Sequence, residues 1–311
     1  MTDSAMRFDG QVVIVTGAGS NPGLGRSYAH YLAARGASIV VNDLGVGPDG
    51  RSVTVSRAEA VAAEICAAGG IAVADTNTVA TREGAQAVVQ TALDAFGRVD
   101  GLVNNAGVLE YTLFEKLTTA DIEKMVASHV MGTIWMCRSV WPHMAAAGKG
   151  RIVNTVSGSV IGAKYSTVYG ASKAAIFGLT RNLAIEAEEL GIKVNSILPS
   201  AATVAWLTFS DDETRPDKHV LQEHSPDHVA PALAFLMHET VPCNGRCIGM
   251  NGTNVYEVGL WRSRGVTGTD WTPEKIRERL AEISGRANVE ILGDPFDGQA
   301  GYTLRPRDYP E

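Results

Sequence analysis

Residues 11–43 carry the tightest constraint on what this chain can become. Gln11-Val12-Val13-Ile14-Val15-Thr16 is a short apolar run, suited to a strand buried on both faces in a parallel sheet. It ends in Gly17-Ala18-Gly19-Ser20-Asn21-Pro22-Gly23-Leu24-Gly25, after which Tyr28, Leu32 and Ala33 recur at helical spacing until Gly36 stops the helix. Ala37 to Asn42 is a second apolar run, and it terminates in Asp43. The order is strand, glycine loop, helix, strand, acid.

The pattern repeats along the chain. After a Gly-rich insertion to about Arg51, a helix is expected over Ser56–Ala68, a strand over Ile71–Ala74 and a helix ending at Phe96. Val99–Val103 is a strand closing in Asn104-Asn105-Ala106-Gly107, and one long helical region spans Thr119–Ala147. Arg151–Val156 is a strand that delivers Ser157, and the helix carrying Tyr169 runs to about Leu190. A strand over Ile192–Leu198, a helix near Asp227–His238 and a last strand near Arg246–Met250 complete the series. Strands alternating with helices call for an α/β fold, a doubly wound parallel sheet of Rossmann type with helices on both faces. We expect one catalytic domain over residues 1–252 and a C-terminal extension over 253–311. The extension holds Trp261, Trp271 and a helix Pro273–Ser284 whose Ile276, Leu280 and Ile283 form an apolar stripe. Such a stripe is expected to bury against the core or a neighbouring subunit, as stability element or lid.

Composition narrows the class of function. The net charge of −7 argues against nucleic acid as a partner. The start, MTDSAMRFDG, lacks the basic and apolar regions of a signal peptide, and no apolar run approaches the ~18 residues of a membrane span. Together these lead us to expect a cytoplasmic protein without a membrane partner. Cys66, Cys137, Cys243 and Cys247 are scattered among apolar neighbours with no histidine cluster, so reduced, buried thiols and no metal site are expected.

The glycine loop has chemistry to perform. Backbone at Gly17, Asn21, Gly23, Leu24 and Gly25 is poised to approach a pyrophosphate, with the helix beyond offering free N–H groups and its positive dipole end. Asp43, followed by Leu44, lies where a carboxylate would bond the adenosine ribose hydroxyls and repel a 2′-phosphate, and no Arg or Lys follows until Arg51. The cofactor expected is therefore NAD rather than NADP.

Downstream, Tyr169 and Lys173 are four apart, on one face of a helix. An ammonium beside a phenol is expected to lower its pKa from about 10, giving a base that removes a proton from an alcohol or returns one to a carbonyl. The Ser157 hydroxyl, twelve residues earlier, would hold the oxygen of the same group.

With the loop, the Asn104–Gly107 turn and the Ser157/Tyr169/Lys173 set on the page, the chain resembles a short-chain dehydrogenase/reductase over roughly residues 8–252. Val40-Val41-Asn42-Asp43-Leu44-Gly45, His129 and Tyr256-Glu257-Val258-Gly259 are similar to the (3R)-hydroxyacyl-CoA dehydrogenase branch of multifunctional peroxisomal enzymes. The resemblance implies that Asn105, Ala106 and Gly107 support the sheet beside the cofactor. It also implies that Lys173 bonds the nicotinamide ribose and that Asp75 and Thr76 lie near the adenine. Four departures stand out. Two extra residues separate Gly17 from Gly23, so the loop bulges at Asn21-Pro22. The Ser157–Tyr169 spacing is one residue shorter than the common one, which leaves Ser159 as the runner-up serine. His129 takes the position of the family's relay asparagine, as a proton relay or as a packing residue. Pro199-Ser200 replaces the usual Pro-Gly, with Thr203 the candidate for the carboxamide contact.

Taken together, the expected function is NAD-dependent interconversion of a hydrophobic secondary alcohol and its ketone, of hydroxyacyl thioester, sterol or terpenoid type. The family resemblance implies a homodimer or homotetramer. The alternatives are a reductase of a smaller ketone, or a catalytically silent cofactor-binding regulator. Trp206, Leu207 and Phe209 suggest an apolar substrate wall.

Overall fold

The computed structural model describes residues 5–45, 56–208, 218–269, 271–285 and 289–291, in two compact units, Met1–Glu257 and Val258–Glu311. In the first unit the opening strand β1 (Val12–Thr16) leads through the glycine loop into α1 (Leu24–Ala33) and β2 (Ser38–Asn42). Then follow α2 (Arg57–Ala67), β3 (Ile71–Asp75), α3 (Arg82–Phe96) and β4 (Gly101–Asn104). The long helix expected over Thr119–Ala147 is α4 (Thr119–Met125) and α5 (Gly132–Ala147) joined by a π-helical turn, Val126–Met131. After β5 (Gly150–Thr155), α6 (Thr167–Glu186) and β6 (Ile192–Ser200) come two short helices, α7 (Val204–Thr208) and α8 (Lys218–Glu223), then α9 (Ala230–Met237), β7 (Cys247–Asn251) and β8 (Asn254–Val258). The Gly-rich insertion around Arg51 and residues 209–217 lie outside the described residues.

The sheet order is β3-β2-β1-β4-β5-β6-β7-β8, with every printed pairing from β3 to β7 parallel. This is the doubly wound arrangement expected from the sequence. Its strand order reverses between β1 and β4, which opens a crevice at the carboxyl ends of the strands. The continuous apolar runs have a direct cause in the packing. Val13, Val15, Ile39, Val41, Val103 and Val153 face one core with α1, α2 and α9, while Val12, Ile14, Val40, Leu102 and Ile152 face the other with α3 and α5. Alternate residues point to opposite faces, and because helices cover both faces neither parity is polar.

β8 was not anticipated. It extends the sheet past residue 252, with Tyr256 lying so close to Gly249 that a Cβ there would fall 2.3 Å from its ring. In the second unit, the helix expected over Pro273–Ser284 divides at Arg279 into α10 (Pro273–Glu278) and α11 (Leu280–Ile283), while β9 (Trp261–Ser263) pairs antiparallel with β10 (Val289–Ile291). Ile276 and Leu280 of the apolar stripe are exposed. Two half-helices of six and four residues have too few turns to present one continuous face. The cysteine expectation also needs correcting. All four thiols are free, but Cys66 is exposed and Cys243 only half-buried, because Cys66 lies on the outer face of α2. No helix of the described residues is long and apolar enough to cross a membrane. No cluster of three or more His, Cys, Asp or Glu among them could hold a metal ion.

Candidate active site

The crevice between β1 and β4 is built by a few polar groups. The Thr16 hydroxyl at the end of β1 donates to the Val103 carbonyl (3.2 Å) and accepts from the Asn105 and Ala106 N–H groups (3.0 and 3.1 Å). Asn105 returns the contact, its amide donating to the Thr16 and Gly17 carbonyls at 2.9 and 3.0 Å. Gly17 has φ +64°, and a Cβ on it would fall 2.7 Å from Ala106 Cα. A Cβ on Gly25 would fall 2.5 Å from the Gly17 carbonyl oxygen, so α1 starts hard against the loop. Gly23 caps α1 without a side chain, and no acid occupies the first turn. Backbone that only glycine permits, beside a helix start that no side chain caps, fits a pyrophosphate. The bulge foreseen at Asn21-Pro22 contains a cis peptide bond, and the Pro22 carbonyl accepts from Val204 N at 3.1 Å. That bond brings Thr203 and its segment, beyond Pro199 at the end of β6, against the glycine loop.

On the other side of the loop, the Asp43 carboxylate accepts from Gly19 N (2.8 Å) and Gly45 N (2.9 Å), with Leu44 exposed between. Arg57, at the start of α2, packs here too: a Cβ on Gly19 would fall 2.5 Å from Arg57 Cβ and 2.7 Å from Asp43 Cγ. Arg57 lies six residues beyond Arg51 in the sequence, and the fold brings it across to this side of the loop. Asp75 is buried and its carboxylate already takes four bonds: Asn42 Nδ2 (2.7 Å) and Asn77 N (3.0 Å) on one oxygen, Asn77 Nδ2 (2.8 Å) and Thr91 Oγ1 (2.7 Å) on the other. It organises the turn that includes Thr76.

The reacting groups sit one turn of chain further along the sheet. A buried polar chain fixes β5 to both neighbours: Asn104 Nδ2 donates to Asn154 Oδ1 (2.9 Å), and Asn154 Nδ2 donates to Thr180 Oγ1 on α6 (3.0 Å). Ser157 follows β5 by two residues, its hydroxyl accepting from Ser159 N (3.3 Å) and lying on the Tyr169 side of the site. Ser159, the runner-up, has a buried hydroxyl with no hydrogen-bond partner. The Lys173 ammonium is buried, donates to the Thr155 carbonyl at 2.8 Å and lies 5.6 Å from the Tyr169 ring centroid.

The charge balance differs from the sequence expectation. Burial raises the Tyr169 pKa above its ordinary value, and the Ser157 hydrogen bond pulls it down by less. Burial also lowers Lys173 to about 7, so the ammonium that was to stabilise the phenolate is itself desolvated and is bonded to a carbonyl. His129 sits in the π-helical turn with its Nε2 2.6 Å from the Val108 carbonyl oxygen and its ring 5.3 Å, edge-on, from that of Tyr169. A Cβ on Gly107 would fall 2.0 Å from His129 Cε1. Burial first and the Lys173 charge second push the imidazole down to about 3. The ring is therefore neutral, donates from Nε2 to Val108, and leaves Nδ1 buried without a partner. Thr16, Val108, Asn154 and Thr155 were missed in the sequence, where nothing local marks them.

The Lys173 shift has a thermodynamic consequence. Its folded pKa lies below the unfolded one, so between about 7 and 10.5 the unfolded chain binds more protons and stability rises with pH. The melting temperature of the unmodified protein should climb across that window relative to Lys173→Met, measured by calorimetry at pH 7, 8.5 and 10. Parallel profiles would contradict the burial of this ammonium. For His129, Asn should preserve the bond to the Val108 carbonyl, whereas Leu should orphan that carbonyl and cost about 1–3 kcal/mol. Denaturant midpoints of His129→Asn and His129→Leu read the difference.

A profile of the family described as short chain dehydrogenase matches residues 11–214. The peroxisomal multifunctional enzyme A of Dictyostelium discoideum is 38% identical over 285 residues, which cover 91% of this chain and 62% of that longer protein. A crystal structure of a short chain dehydrogenase from Mycobacterium avium superposes with a TM-score of 0.76 at 34% identity, covering 92% of this chain and 98% of the other. A 7α-hydroxysteroid dehydrogenase complexed with NADH and 7-oxo glycochenodeoxycholic acid gives 0.70 at 30% identity, covering 80% and 95%.

Proposed function

Because the chain belongs to the short-chain dehydrogenase family, we propose that it is an NAD-dependent oxidoreductase interconverting a hydrophobic secondary alcohol and its ketone. The observation that carries this reading is the half-buried Tyr169 phenol, beside the Ser157 hydroxyl and one helical turn from the buried Lys173 ammonium. In this reading the alcohol oxygen lies between the two hydroxyls. Ser157 donates to that oxygen and stabilises charge developing there, while Tyr169 accepts its proton. Lys173, with a pKa near neutrality, holds either charge state at little cost and passes the proton on. His129 is a neutral positioning residue in this scheme, because a ring that stays uncharged and is bonded to Val108 holds Tyr169 from the side. Bound NAD⁺ supplies the hydride acceptor and a positive charge that favours the phenolate.

Gly17, Asn21, Gly23, Leu24 and Gly25 would hold the pyrophosphate, and Asp43 with Leu44 the adenosine ribose. Thr76 beside Asp75 would contact the adenine, and Asn105, Ala106 and Gly107 would wall the nicotinamide side. Lys173 would bond the nicotinamide ribose with Tyr169 beside it, and Pro199 and Thr203 would lie near the carboxamide. An apolar substrate of hydroxyacyl thioester, sterol or terpenoid type fits the exposed Tyr111, Leu113, Phe114 and Ile161 in the loops after β4 and β5. Of the wall residues read from the sequence, Leu207 is half-buried, while Phe209 and the Trp206 side chain lie outside the described residues. The steroid dehydrogenase above, with its bile-acid ketone and NADH, lends support to both the substrate class and the cofactor. We also read the protein as a homodimer or homotetramer, since α6 exposes Ala171, Ala174 and Ala175, side chains small enough to pack closely against a second helix, and the large apolar Ile185.

A screen of secondary alcohols with NAD⁺, followed at the absorbance of the reduced nicotinamide, tests the reaction. Tyr169→Phe should lower turnover by about 10²–10⁴-fold while NAD binding stays nearly unchanged. Substantial turnover in that variant would mean the base is misassigned. Asp43→Ala should narrow the NAD/NADP preference by one or two orders of magnitude, about 1.4–2.8 kcal/mol. An unmodified protein that favours NADP would give Arg57, not Asp43, control of that choice.

A further inference from the structure

Tyr165 has φ +65°, the one positive value for a non-glycine residue among those described. Glycine adopts that backbone freely, whereas a tyrosine there crowds its Cβ against the following carbonyl. Strain of this kind persists where the side chain has work that glycine cannot do. The ring does not fill the core, since it is 38% exposed. It meets Tyr111, itself 46% exposed, edge-on at 5.9 Å, and the Lys164 ammonium lies 4.8 Å from its centroid.

The location is specific. Tyr165 O accepts from Thr112 N at 3.1 Å, which pins the loop after β5 to the loop after β4. The same two loops carry Phe114 and Ile161, 64% and 85% exposed. Both leave the carboxyl edge of the sheet, the edge that carries Ser157, and Tyr165 lies two residues before the helix of Tyr169. Exposed apolar side chains on loops pinned to one another offer a binding surface, and a tyrosine gives such a surface a large, rigid contact with a polar tip.

We infer that Tyr165, paired with Tyr111, is the wall that grips the apolar body of the substrate beyond its reacting carbon, and that it sets a preference for long alcohols over short ones. The inference rests on the oxidoreductase reading and deepens it. Glycine at this position separates wall from scaffold, because it removes the ring and relieves the backbone together. Phenylalanine keeps the ring and tests whether the phenol itself reacts.

The experiment titrates 2-hexanol and 2-undecanol calorimetrically into the full-length protein, Tyr165→Gly and Tyr165→Phe, with melting temperatures and NAD⁺-dependent turnover recorded alongside. The unmodified protein should bind 2-undecanol at least about tenfold more tightly than 2-hexanol. Tyr165→Gly should lose about tenfold in 2-undecanol affinity, keep that for 2-hexanol within about twofold, and melt at the same or a higher temperature. Tyr165→Phe should match the unmodified protein. Equal losses for both alcohols, no loss for either, or a lower melting temperature in Tyr165→Gly would overturn the assignment, as would loss of turnover in Tyr165→Phe. Absent turnover with the length preference still abolished by Tyr165→Gly would remove the redox reading and leave the wall standing.

Discussion

The reciprocal clasp between Thr16 and Asn105 is the contact on which the site depends. Parallel strands that diverge at a switch point leave their last carbonyls and N–H groups without ladder partners, and buried groups of this kind must find others. One hydroxyl and one amide serve both sides at 2.9–3.2 Å, so the ends of β1 and β4 are held at a fixed separation. Gly17 and Gly25 then follow as steric requirements, because the turn after β4 and the backbone of the glycine loop occupy the space a Cβ would need. The same turn continues to Gly107 and Val108, which receive the His129 ring. Cofactor loop and reacting groups therefore share one piece of backbone.

Three ionisable side chains are packed at the end of this backbone, and burial dominates each. Tyr169 is raised, Lys173 lowered to about 7 and His129 lowered to about 3. All three shifts favour the neutral form, the common signature of desolvation. A site that holds its base and its ammonium near their neutral forms is sensitive to any charge brought beside them. A positive ring at the crevice would move the phenol towards ionisation when substrate chemistry calls for it, and leave it protonated otherwise. The bonds from Lys173 to Thr155 and from His129 to Val108 use backbone carbonyls, which carry no charge of their own and so leave that sensitivity intact.

Tyr165 belongs to the same economy of placement at the outer rim. Its backbone takes a conformation suited to glycine, its carbonyl joins two loops, and its ring stays in contact with water. The rim is where the two loops can differ without disturbing the clasp beneath them.

By itself, the sequence determined everything whose signal is local. Apolar runs with both parities hydrophobic meant a parallel sheet covered on both faces, glycines between strand and helix meant close backbone approach, and Tyr169 with Lys173 at i, i+4 shared a helical face. Tertiary structure decided whatever depends on what the chain brings from elsewhere. The direction of the Tyr169 shift depends on how deeply the pair is buried, which spacing along a helix does not report. Asp75 is saturated by Asn42 and Thr91 from neighbouring elements, and Arg57 reaches Gly19 only because α2 folds back across β2. The π-turn at His129, the edge strand β8 and the exposure of Ile276 and Leu280 have the same origin. Each is a choice made by packing among segments distant in sequence, and hydrophobic periodicity reports only which side of an element is apolar, not what will cover it.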